Sequence, residues 1–104
     1  MYLTNDMEEP KYVKIHISVK SLFRNVKDRV RVYVQVLDKY YNPVENEKGA
    51  LTFSKGSLLV ENNMTDINGV VAATYTCPDT LGKVTFSATC NGIIDTKEIN
   101  IKER

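Results

Sequence analysis

Arg29-Val30-Arg31-Val32-Tyr33-Val34-Gln35-Val36-Leu37 alternates without a break: Val30, Val32, Val34 and Val36 fall on one side, Arg31, Tyr33 and Gln35 on the other. A two-residue period over this length makes a strand with one buried and one wetted face, whereas a helical period would scatter those valines around the axis. Outward along the chain, Tyr12 to Val19 repeats the pattern, with Val13, Ile15, Ile17 and Val19 opposed to Lys14, His16 and Ser18. Lys83 to Cys90 does so again, setting Val84, Phe86, Ala88 and Cys90 against Thr85, Ser87 and Thr89. Ala50 to Ser54, Ser57 to Glu61, Val70 to Cys77 and Ile93 to Ile101 are weaker candidates. Short strands at this spacing, with turn residues between them, predict an all-β two-sheet sandwich of about seven strands rather than a parallel sheet with helices.

The turns agree with that reading. Asn91-Gly92 between two extended runs is a two-residue hairpin signal, because both residues accept positive φ. Asn68-Gly69 leads into another strand, Asn42-Pro43 breaks the chain after the second, and Pro78 to Gly82 precedes the final hairpin. Ser21 to Val30 is the one stretch with helical spacing, through Leu22, Val26 and Val30, but Val30 already belongs to a strand, which predicts a loop or a single helical turn. The core follows from the inward positions: Val13, Ile15, Ile17, Val30, Val32, Val34, Val36, Leu51, Phe53, Val71, Ala73, Tyr75, Val84, Phe86, Ala88, Cys90, Ile99 and Ile101.

At 104 residues the chain holds one compact domain, expected over 11–104, behind a disordered leader or linker at 1–10. A chain of this size buries about 65% of its surface without staples, so metals and disulfides are optional. No apolar run approaches the roughly 18 to 20 residues that cross a bilayer, and Met1 to Pro10 carries acidic residues but no apolar stretch, which predicts neither membrane insertion nor a signal peptide.

The net charge of +1 hides two opposed parts. Lys11, Lys14, Lys20, Arg24, Lys27, Arg29 and Arg31 stand against Asp28 alone, giving +6 over residues 11–31 and −5 elsewhere. The bland reading of such a segment is a solvated strand face, and no zinc-finger spacing or aromatic RNA-binding signature accompanies it, so no nucleic-acid partner is expected. Cys77 and Cys90 form no Cys-x-x-Cys pair. On two antiparallel strands they sit at opposite ends, on the order of 20 Å apart, which predicts two free, buried thiols and no disulfide.

Two stretches carry a family resemblance. Asp38-Lys39-Tyr40-Tyr41-Asn42-Pro43-Val44, followed by Leu51-Thr52-Phe53-Ser54, is similar to the Asp-x-x-Gly-Asn-Pro-Val and Val-Thr-Phe-Ser elements of the bacterial immunoglobulin-like group 1 domain, the repeated module of intimins, invasins and adhesin-like surface proteins. Thr65-Asp66-Ile67-Asn68-Gly69-Val70 resembles that family's Thr-Asp-x-x-Gly-Val turn, and Gly82 to Thr89 its penultimate strand. The resemblance implies an immunoglobulin-like sandwich, with Asp38, Asn42, Pro43, Asp66, Asn68 and Gly69 as turn residues. Tyr41 stands where the family has Gly, which predicts a differently shaped first turn, and Gly49 replaces an apolar residue, which predicts a shortened third strand.

Chemistry is sparse by comparison. His16 is the only histidine and lies on a polar face, no Gly-x-Ser-x-Gly elbow exists, and the five glycines are scattered one to a turn, so neither catalysis nor a cofactor is expected. Asp38, Asn42, Asp66 and Asn68 are hard oxygen donors without a calcium-loop spacing, and turn stabilisation explains them without a metal. Tyr40 and Tyr41, with Tyr33 on a polar face, are the candidate contact residues for a sugar or a protein, although one adjacent tyrosine commonly folds down over the end of the core. By resemblance the expectation is a non-catalytic, monomeric structural or adhesive module of a prokaryotic cell-surface protein, whose partners are neighbouring domains, a host or cell-surface protein, or a glycan. The alternatives are a small phage or virus structural protein located in the virion, and a glycan-binding module.

Overall fold

The computed structural model describes residues 9–24 and 28–103. Among the described residues eight strands follow one another: β1 (Tyr12–Ile17), β2 (Ser21–Phe23), β3 (Arg29–Leu37), β4 (Ala50–Phe53), β5 (Ser57–Val60), β6 (Val70–Thr76), β7 (Gly82–Cys90) and β8 (Ile93–Lys102). They form two four-stranded sheets, ordered β1-β3-β6-β5 and β2-β8-β7-β4. This is the expected all-β immunoglobulin-like sandwich, with one strand more than the sequence suggested. Asn91 and Gly92 close the β7–β8 hairpin at φ 52° and 78°, between the paired residues Cys90 and Ile93. Gly49 stays outside β4, which is only four residues long.

The additional strand corrects the expectation of a loop or helical turn after Ser21. The chain leaves the first sheet after Ile17, crosses at Ser18–Lys20, and enters the second sheet as β2, which pairs in parallel with Ser21 opposite Asn100 and Phe23 opposite Lys102. Leu22 between them is buried. A three-residue parallel pairing depends on a partner nearly eighty positions away, so no local period announces it. The same crossover ends the first strand at Ile17 instead of Val19, which is left exposed. The rest of the supposed helical stretch, 25–27, lies outside the described residues, as do positions 1–8 of the expected leader; Pro10 is buried.

The core lies between the sheets and contains most of the inward positions named above. Tyr75 and Phe86 are its largest members, in edge-to-face contact at 4.8 Å and 80°. Burial of each ring contributes on the order of 3 kcal/mol. Three expected members sit nearer the surface: Ile17 and Leu51 are half-buried, and Phe53 is 37% exposed because β4 is an edge strand. Leu22 and Val44 join the core instead. Cys77 and Cys90 are free and buried, and burial pushes both thiols above their ordinary value. They belong to opposite sheets, Cys77 just past β6 and Cys90 at the end of β7.

The strand directions define two poles. At the first lie the start of β1, the ends of β3 and β7, and the Asn91-Gly92 hairpin; at the second lie the start of β7 and the end of β8. The first strand therefore starts at one pole and the last strand finishes at the other.

Candidate functional site

The turn residues singled out in the sequence, with Tyr40 and Tyr41, converge on the first pole, where two loops share one construction. In the loop after β3, Asp38 Oδ1 accepts hydrogen bonds from the backbone amides of Tyr40 (2.8 Å) and Asn42 (2.9 Å). The Asp38 carbonyl accepts from Tyr41 N, and Asp38 N donates to the Asn42 carbonyl. In the loop before β6, Asp66 Oδ1 accepts from Asn68 N (2.9 Å) and Val70 N (3.0 Å), its carbonyl from Gly69 N, and its amide donates to the Val70 carbonyl. The offsets from each aspartate are the same. So is the backbone three positions on, where Tyr41 has φ 66° and Gly69 φ 73°.

The expectation of a differently shaped first turn is therefore wrong: the tyrosine itself enters the left-handed region that glycine occupies in the twin loop. Gly69 has a further constraint. A Cβ there would lie 2.5 Å from the Val36 carbonyl oxygen and 3.1 Å from Val44 N, because Gly69 packs directly on the other loop. Its carbonyl accepts from Val36 N at 2.7 Å. Thr65, also buried, joins the loops from the other side: its hydroxyl donates to the Val44 carbonyl (2.6 Å) and accepts from Glu47 N (2.8 Å). Pro43 bridges back to Leu37 at the end of β3. The pole is thus a platform tied together by backbone hydrogen bonds and by Asp38, Asp66 and Thr65 side chains bonded to the backbone.

On this platform both Tyr40 and Tyr41 project outward, 63% and 66% exposed, and neither folds over the core. Tyr41 stacks on Tyr12, with ring centroids 4.7 Å apart and planes 12° from parallel. Lys39 Nζ lies 5.2 Å from the centroid of the Tyr40 ring. Tyr12 was not among the residues read as candidates. It enters because β1 pairs with β3 so that Tyr12 lies opposite Leu37, beside the Asp38 loop, a register invisible in the sequence. Tyr33 lies apart from this group. It stands opposite His16 in mid-sheet, four residues back along β3 from Leu37, or about 13 Å. There the Arg31 guanidinium covers its ring at 5.4 Å.

His16 Nε2 faces Gln35 Oε1 at 3.3 Å, with Tyr33 as its cross-strand neighbour. Among the described residues no three His, Cys, Asp or Glu side chains are grouped to hold a metal ion. The first pole offers stacked phenol rings, amphipathic and held in place, with a lysine beside them. Such a surface can take part in stacking, apolar contact and hydrogen bonding.

The sequence matches no protein-family model and no curated protein. Solved structures do match. The Yersinia pseudotuberculosis adhesin InvE aligns over 88% of this chain and 26% of its own, at 22% identity and a TM-score of 0.73. A C-terminal 282-residue fragment of intimin, in complex with the intimin-binding domain of the translocated intimin receptor, aligns over 88% of this chain and 33% of its own, at 25% identity and a TM-score of 0.71. The D0-D1 domain of intimin gives 26% identity over 85% of this chain and 46% of its own, with a TM-score of 0.69. The chain thus spans less than half the length of each.

Proposed function

We propose that this chain, a bacterial immunoglobulin-like module of the adhesin type, is a non-catalytic unit of a cell-surface protein that sets the spacing of its neighbours and carries the Tyr12, Tyr40 and Tyr41 patch toward a protein partner. The observation that carries this reading is the opposite placement of the first and last strands, which lets modules join end to end with no reversal of the chain. The likeness to intimin and InvE supports it, since the chain covers only a fraction of each. The intimin fragment was solved with a receptor domain, and a protein partner is the corresponding reading here. Tyr40 and Tyr41 are the contact residues in this proposal; Tyr33, covered by Arg31, would make a separate contact if any.

The test is to label intact cells of the source organism with an antibody raised against the domain. Labelling of unbroken cells supports a surface module. Signal that needs lysis, or that travels with purified virus particles, sinks it. A Tyr40→Ala, Tyr41→Ala double variant, folded by thermal melting, should lose adhesion to host cells that the unaltered domain shows, and equal adhesion would remove the tyrosines from the proposal.

A further inference from the structure

The departure of β1 from the first sheet leaves a gap on the opposite side of the molecule from β5. The β1–β3 pairing ends at Ile17 opposite Val32, so among the described residues Arg29 to Arg31 on β3 have no paired strand on that side. Which backbone groups face the gap follows from one hydrogen bond. Ile15 N points away from β3, because it donates to Asp95 Oδ2 at 2.8 Å. His16 and Lys14 are therefore the residues of β1 bonded to β3, through Tyr33 and Gln35. By two-residue alternation, the amides and carbonyls of Arg31 and Arg29 face the same way as those of Tyr33, into the gap. Among the described residues the crossover at Ser18–Lys20 does not meet them; its one backbone bond runs from Asn100 N to the Lys20 carbonyl.

The gap opens into a groove of about 970 Å³. Ile15, Ile17, Val30 and Ile99 contribute apolar lining, and Lys20, Arg29, Arg31, Lys83 and Lys97 line it against Glu98 alone among acidic residues. Arg31 pairs with Glu61 at 3.0 Å and Lys83 with Glu98 at 3.6 Å. Lys20, Arg29 and Lys97 make no ion pair among the described residues. Part of the basic segment at 11–31 thus meets two lysines from the other sheet at one groove.

The geometry points to a strand-addition site: a short extended segment of a partner protein, alternating acidic and apolar residues, continues the track that β1 vacates beside Arg29–Arg31. The alternation is dictated by the walls. A strand laid antiparallel or parallel to β3 turns every second side chain inward toward Val30 and Ile17, and the others outward toward the Arg29 and Arg31 guanidinium groups. Unpaired backbone groups select a peptide over a polysaccharide, and the uncompensated cations select carboxylates. β1 itself limits the site toward the first pole, since Ile17 still pairs with Val32. The site lies away from the tyrosine platform and does not depend on it.

The probe is a blocked eight-residue peptide alternating Val and Glu, with an alternating Val and Lys peptide as control, read by fluorescence anisotropy and by amide hydrogen exchange. The acidic peptide should bind and slow exchange at the Arg29 and Arg31 amides, and the basic one should not bind. Lys97→Glu and Lys20→Glu, both exposed positions, should each weaken binding by about fivefold without lowering the melting temperature. No binding by the acidic peptide overturns the proposal. So does equal binding of the two peptides, or a heparin fragment that binds while the acidic peptide does not and leaves the Arg29 and Arg31 amides unprotected, which would make the groove an anionic-polysaccharide site.

Discussion

Tyr41 holds a left-handed backbone that costs an L-residue about 1 kcal/mol, and its ring recovers a similar amount by stacking on Tyr12. The two effects separate in a mutant cycle. Tyr41→Gly in the unaltered protein should change stability little, whereas in a Tyr12→Ala background it should raise stability by about 1 kcal/mol, as measured by urea unfolding. A second residue answers to pH. Burial, with the Cys77 charge adding to it, pushes the Tyr75 phenol up to about 12 from its ordinary 10. The native state therefore favours the neutral phenol, so its stabilising share is complete below pH 10 and is lost as the pH rises from about 10 toward 12. The stability gap between the unaltered protein and Tyr75→Phe should narrow across that window, and a constant gap would assign the ring no titrating role. At neutral pH the gap reflects the lost hydrogen bond from the Tyr75 hydroxyl to the Lys55 carbonyl.

Among the elements, β2 is small and consequential. Its central Leu22 is 3% exposed, so Leu22→Ala should cost about 3 kcal/mol through lost burial and the cavity left behind, a loss calorimetry would show. The turn between β4 and β5 is fixed by contact rather than by local preference. A Cβ at Gly56 would stand 2.2 Å from the Tyr75 hydroxyl oxygen, at φ 103°, and Gly56→Ala should destabilise by about 2 kcal/mol or more, visible in the same measurement. These two elements also mark the limit of what could be read in advance. β3, β7 and the β7–β8 hairpin were legible because alternation and Asn-Gly chemistry are local. β2 was not, since its partner is β8, and neither was the Tyr12–Tyr41 stack, which depends on the register of β1 against β3. Of the site, the aspartate loops were legible as turns, while their identical bonding and the glycine-like backbone of Tyr41 were not, because no local residue preference puts a tyrosine at positive φ. The basic segment was legible as charge; what gathers it into a groove is the exit of β1 from its sheet, which sequence alternation does not encode.

At the scale of the whole molecule, the two sheets are held together at their open side by Asp95 of β8, bonded to Ile15 of β1, and by β2, which carries the first strand across from one sheet to the other. The start of β1 and the end of β8 lie at opposite poles, and β2 and β8 run parallel. Pulling on the two ends drags β2 toward the first pole and β8 toward the second, so the hydrogen bonds between them slide against one another and must break together instead of peeling one by one. A domain tethered at both ends would then resist tension with its shortest strand as the clamp. In single-molecule stretching, Leu22→Ala should lower the rupture force more than Ile94→Ala, a change at an exposed position on the same sheet.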